Sequence, residues 1–124
     1  MNLIFEHKHA TEVTNAEKRY IKKLKLTDIG LIWDDFVDYQ TNTECFVILT
    51  KNNKKIPIAW GLILYDYDKE EWVFSVYVKR TYRRKGIGTK IYRMMKRKHK
   101  LKDNDIHVFR HDDKSMSFFD KLQR

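Results

Sequence analysis

The sequence predicts an α/β domain built on a mixed sheet, in the order strand, helix, helix, three strands, helix, strand, helix. Three observations carry that expectation. Residues 44–78 hold three β-rich runs separated only by short polar breaks, as in antiparallel neighbours. A run of helical period follows over 87–101, and a short apolar run over 105–109 comes after it. Strand, crossover helix and strand connect in the right-handed sense, which sets the fourth and fifth strands parallel.

The elements follow in order. Asn2 to Phe5 reads as a short first strand, and Ala16 to Leu26 as a helix with Tyr20, Ile21 and Leu24 on one side. Thr27 or Asp28 caps a second helix, in which Ile29, Ile32, Trp33, Phe36 and Val37 keep the spacing of one helical face. Thr41 to Thr43 is a polar break. Glu44 to Lys51 is the second strand, and Asn52-Asn53 suits a tight hairpin into Ile56 to Tyr67. Pro57 stands near the start of that third strand, where a missing donor is tolerated. Beyond the turn Asp68-Lys69-Glu70, Trp72 to Val78 is apolar on both faces, as a strand covered on each side should be. A helix over Thr89 to Lys100 carries Ile91, Met94 and Met95 at core spacing, with Ile87 and Leu101 flanking it. Asp105 to Phe109 is the fifth strand. Asp112 or Asp113 then caps a last helix with Met116, Phe119 and Leu122 facing inward.

At 124 residues, the chain has room for one domain, 1–124, with a core that needs no disulfide or metal. No apolar run approaches the ~20 residues of a spanning helix, and MNLIFEHKH lacks the pattern of a signal peptide. A membrane reading is therefore excluded. The single Cys45 permits no internal disulfide, favours a reducing cytosol, and reads as an inert small hydrophobe within a strand. The five His show no metal-ligand spacing, so no metal is expected.

Charge is concentrated in one place. The net charge is +9, and residues 79–102 hold 12 Lys and Arg without one acid. The remainder of the chain carries 14 basic residues against 17 acidic ones. One segment is thus built for an anion: nucleic acid, a phosphorylated cofactor or an acidic protein.

That segment runs from Val76, Tyr77 and Val78 through Arg83, Arg84, Lys85, Gly86, Ile87, Gly88 and Thr89. A buried strand enters a basic loop, two glycines stand two apart, and a helix opens at the second. Glycine admits positive φ and close approach of a ligand to the backbone. The helix start adds unpaired N–H groups and the positive end of the dipole, which together make a phosphate cradle. Neither of the common nucleotide loops is present: there is no G-x-x-x-x-G-K-S/T, and no G-x-G-x-x-G followed by a ribose-binding acid.

The loop resembles the acyl-coenzyme A loop of the GNAT superfamily of N-acetyltransferases, whose signature is Arg/Gln-x-x-Gly-x-Gly/Ala. Arg83-x-x-Gly86-x-Gly88 fits it, with Tyr77-Val78 and Tyr82 flanking as the family's strand exit does. Ile58 to Ile63 resembles the family's third strand, and Phe118-Phe119-Asp120-Lys121-Leu122 its late helix, usually F-Y-E-K-L. The resemblance covers roughly residues 44–122, and only the loop is specific. It implies acetyl-coenzyme A as cofactor, with amides from Arg84 to Thr89 on the pyrophosphate. The edge of the fourth strand near Val76 to Val78 would hold the pantetheine arm. An amine would attack the thioester after losing its proton, and the thiolate would be re-protonated. The family's acid is a Tyr, and this chain has Phe119 there, which also flanks the cofactor; Asp112 stands where Asn is usual. Glu71 and Ser115 remain as candidates for proton transfer. Trp33, Asp34, Asp38 and Tyr39 fall where the family borders its acceptor, and suit a cationic amine.

The acceptor class spans protein Lys, chain N-termini and small amines. Because the chain stops at Arg124, the family's last two strands are expected to be missing. An exposed fifth-strand edge then predicts a homodimer or a covering partner. Two rival readings stand beside the transferase. In one, the fold has little turnover and acts by docking on a protein. In the other, residues 79–102 bind nucleic acid, ranked third because Tyr82 and Tyr92 are the only aromatics in the run. A compact, Lys-rich, shortened chain also fits a viral or mobile-element origin, which would place it in a host cytosol.

Overall fold

The computed structural model describes residues 2–24 and 44–108. Its elements are β1 (Ile4–His9), α1 (Asn15–Leu24), β2 (Cys45–Lys51), β3 (Pro57–Asp66), β4 (Glu71–Val78), α2 (Ile87–His99) and β5 (Ile106–Val108). Among the described residues the strands form one sheet in chain order, antiparallel from β1 through β4. β4 and β5 are parallel, paired as Trp72–Ile106, Val73–His107 and Phe74–Val108. This is the mixed sheet that the sequence predicts. The second and last helices expected from the sequence lie outside the described residues, as does Phe109.

Each face of the sheet buries its own apolar set. On one face α2 seats Ile87, Ile91, Tyr92 and Met95 against Ile63 and Phe74. Fully burying such a side chain contributes roughly 1.5–3 kcal/mol. The close approach of α2 depends on Gly61, where a Cβ would collide with the Ile91 side chain. The opposite face gathers Val47, Leu49, Trp60, Leu62 and Tyr77, together with Cys45. Burial pushes the Cys45 thiol up to about 12, so it is no nucleophile near neutral pH.

Three departures from expectation stand out, two of them with a tertiary reason and one with a local one. β1 runs over Ile4–His9 rather than ending at Phe5, because its polar residues find partners across the fold. His7 Nε2 lies 3.0 Å from His99 Nε2 on α2, and burial lowers both imidazoles below their ordinary value. Lys8 reaches Glu17 at 2.9 Å, and Lys51 bridges Glu17 at 2.7 Å and Glu6 at 2.6 Å. The β2–β3 connection is not a two-residue hairpin. Asn52 Oδ1 instead accepts from Lys54 and Ile56 N–H, while Lys55 takes φ 62. Finally, α2 starts at Ile87 rather than Thr89, with Gly88 buried in its first turn.

Glu17 also closes a capping box on α1, exchanging hydrogen bonds with Thr14. Burial acts to raise its carboxyl, but bonds from Lys51, the Thr14 N–H and Lys8 outweigh burial and hold it at about 2. Among the described residues, no helix is long and apolar enough to cross a membrane.

Candidate functional site

The end of β4 is tied to its neighbour by the Lys79 N–H, which donates to Ile58 O at 2.8 Å. A single 3-10 turn, Arg80–Tyr82, then reverses the chain, closed by Tyr82 N–H on Lys79 O and Arg83 N–H on Arg80 O. Arg83 folds back on the strand it has just left. Its Nε–H donates to Val78 O at 2.8 Å, and its guanidinium lies 5.2 Å from the centre of the Tyr77 ring. This side chain is a bracket on the loop, a role the sequence pattern does not reveal.

Two residues then adopt left-handed backbone: Arg84 at φ 63 and Gly86 at φ 78. Gly86 carries that conformation without steric cost, whereas a non-glycine there costs of order 1 kcal/mol. Arg84 shares this conformation with Lys55, Glu70 and Lys100. The first helical hydrogen bond of α2 runs from Lys90 N–H to Gly86 O at 3.0 Å, and no side chain caps the helix. Six consecutive main-chain N–H groups, from Arg84 to Thr89, are therefore without a protein partner among the described residues. Loop residues Arg83 to Gly86 are exposed, while Ile87 and Gly88 are buried and anchor the helix start. An open groove of about 470 Å³ begins at Gly86 and Thr89 and continues along α2 past Lys90, Arg93, Met94 and Arg97.

The chemistry of this donor set is that of a diphosphate cradle. Fixed N–H groups, the positive end of a helix and flanking guanidinium and ammonium groups all favour an anion. Lys85 Nζ lies 5.8 Å from the Tyr82 ring centre, and Arg84 has no ion pair among the described residues. The residues present thus fit the phosphates of coenzyme A.

The other candidate residues are distributed as follows. Val76 and Val78 are half-buried on the α2 face of β4. Tyr77 is buried on the opposite face, stacked 6.5 Å from Trp60, so its side chain fills the core. Glu71 opens β4, paired with Asp66, and strand alternation puts it on the face of Val73 and Tyr77. Trp72 points to the other face, 5.7 Å from His99. Trp33, Asp34, Asp38, Tyr39, Ser115 and Phe119 lie outside the described residues. The sequence alone assigns no role to His107. It is exposed on β5 between buried Ile106 and Val108, and its pairing with Val73 sets it on the face of Glu71. The alternation of apolar, polar and apolar residues was the available signal.

A model of the acetyltransferase (GNAT) family matches residues 10–123. The chain belongs to that family. Among solved structures it is similar to an aminoglycoside acetyltransferase from an uncultured soil metagenomic sample. The identity there is 13% and the TM-score 0.63, over 98% of this chain and 88% of that one. It is also similar to a ribosomal-protein-alanine N-acetyltransferase from Brucella melitensis biovar Abortus 2308, at 8% identity and TM-score 0.62, over 99% and 92% of the two chains. A third is an acyl-CoA N-acyltransferase from Pseudomonas aeruginosa, at 14% identity and TM-score 0.56, over 77% and 69%. At such identities these likenesses show the fold. No curated protein matches the chain. Membership of the acetyltransferase (GNAT) family supports acyl transfer as the chemistry.

Proposed function

We propose that the protein moves an acetyl group from acetyl-coenzyme A to a primary amine. The observation that carries this reading is the run of unpartnered N–H groups from Arg84 to Thr89, set at the start of α2 and ringed by Arg83, Arg84 and Lys85. The diphosphate would lie on that run, and the pantetheine arm along β4 toward its middle. Acyl transfer then needs a donor carbonyl held rigidly and a deprotonated amine beside it. The acceptor belongs to the class of primary amines: a protein Lys, a chain N-terminus or a small amine.

Calorimetry with acetyl-coenzyme A, followed by thiol release over a panel of amines, tests the proposal. Binding together with amine-dependent thiol release is the expected result. Tight binding with silence across the panel would replace the enzyme by a docking protein. A second proposal concerns assembly. β5 ends the described sheet, and its outer edge suits a second copy of the chain. Sedimentation should show a dimer at micromolar concentration, and a monomer would remove that part.

A further inference from the structure

The acceptor nitrogen must lose a proton and the departing sulfur must gain one, yet the usual Tyr of the late helix is replaced by Phe119, which has no proton to exchange. Resting on the transfer reading above, we propose that His107 carries this proton in both directions. The placement follows from lengths. An extended phosphopantetheine arm spans roughly 15 Å from phosphorus to sulfur. At about 3.3 Å per strand residue that is four or five residues of β4. Counted back from Val78, the sulfur falls level with Val73 and Phe74. These two residues pair with His107 and Val108, the last described pair of the β4–β5 ladder.

His107 is therefore the titratable side chain of β5 at the level where the thioester would lie. Because it is exposed, an acceptor amine can reach it. It lies on the sheet face opposite α2, in the same row as Val73, Leu64 and Cys45. Its charged neighbours by register on that face are Glu71 on β4 and, one strand further, Asp66; Asp105 stands just before β5. No other His, Lys or Cys stands on the β4 and β5 residues at this level.

In the step, a ring nitrogen of His107 takes a proton from the neutral amine as the amine nitrogen bonds to the acyl carbon. The C–S bond breaks with its electron pair on sulfur. The imidazolium then returns the same proton to the thiolate. Amide, free thiol and neutral imidazole remain, so one side chain balances a step that the family's usual pattern divides between two groups.

The test uses the full chain with acetyl-coenzyme A as the probe. His107→Gln should bind acetyl-coenzyme A as the wild type does in calorimetry, while its thiol-release rate falls on the order of 100-fold. Free imidazole should raise the rate of His107→Gly above that of imidazole with acetyl-coenzyme A alone. Acetyl-coenzyme A should slow carbethoxylation of His107 by diethyl pyrocarbonate, read by mass spectrometry. A His107→Gln rate close to wild type, or carbethoxylation unchanged by acetyl-coenzyme A, would overturn the assignment of His107 and leave the transfer reading standing. A wild type that binds acetyl-coenzyme A yet releases no thiol with any amine would overturn both.

Discussion

Two groups of basic residues in this protein behave in opposite ways. At the edge of the sheet by α1, Lys8 and Lys51 are consumed by Glu6 and Glu17 at 2.6–3.6 Å, and the cluster closes on itself. Around the β4–α2 loop, Arg84 and Lys85 meet no carboxylate among the described residues, and the N–H groups beside them are equally unanswered. In the whole basic segment, the described ion pair is Lys96 with Asp103. Charge that is neutralised internally is spent on the fold. The proposed diphosphate site gives the open charge of Arg84 and Lys85, beside unpaired backbone donors, its use. On that proposal the same residue types hold the fold in one place and serve recognition in the other.

Substitutions can break that contrast, beginning with the largest effect. Glu17→Ala should lower stability by up to about 3 kcal/mol, since its carboxyl sits at about 2 in the fold against an ordinary 4.5. The unfolded chain takes up that proton first on acidification. The contribution is complete above about pH 4.5 and is lost as pH falls toward 2. Urea unfolding across this range should show a flatter acid limb for Glu17→Ala, and acetyl-coenzyme A affinity should not change. If affinity fell with stability preserved, the division between the two clusters would be wrong.

Gly86→Glu should do the reverse. A side chain at φ 78 meets nothing within 4 Å, so the fold survives at a cost of about 1–2 kcal/mol from backbone strain. The added carboxylate faces the diphosphate, and affinity should drop on the order of 100-fold in calorimetry. Gly61→Ala sharpens the point from the packing side. It must displace Ile91, so thermal unfolding should show a loss of about 1–3 kcal/mol as α2 is pushed from the sheet. Arg84→Ala is the mildest. An exposed charge beside a bound phosphate should change affinity only about 3- to 10-fold, with a shallower salt dependence.

The parts of the molecule legible in sequence are those fixed by neighbours along the chain. Arg83-x-x-Gly86-x-Gly88 could be read directly because strand exit, positive φ and helix start all fall within ten residues, Val78 to Ile87. The β2–β3–β4 meander was legible for the same reason. The full length of β1 was not, because His7 is held in the strand by His99, 92 positions away, and Lys8 by Glu17 on α1. The start of α2 was also hidden. Gly88 looks like loop until Ile91 is seen seated over Gly61, which commits the first turn to helix. At the site, backbone donors were legible, whereas Arg83 turning back on Val78 O and His107 standing level with Val73 emerge only from the pairing of strands.

The most direct measurement is a titration of the amide N–H resonances with acetyl-coenzyme A. The largest shifts are expected at Arg84 through Thr89, with smaller ones along Ser75 to Val78. Saturable binding that leaves Gly86 to Thr89 unmoved, or that shifts only the outer face of α2, would contradict the assignment of the loop to the diphosphate.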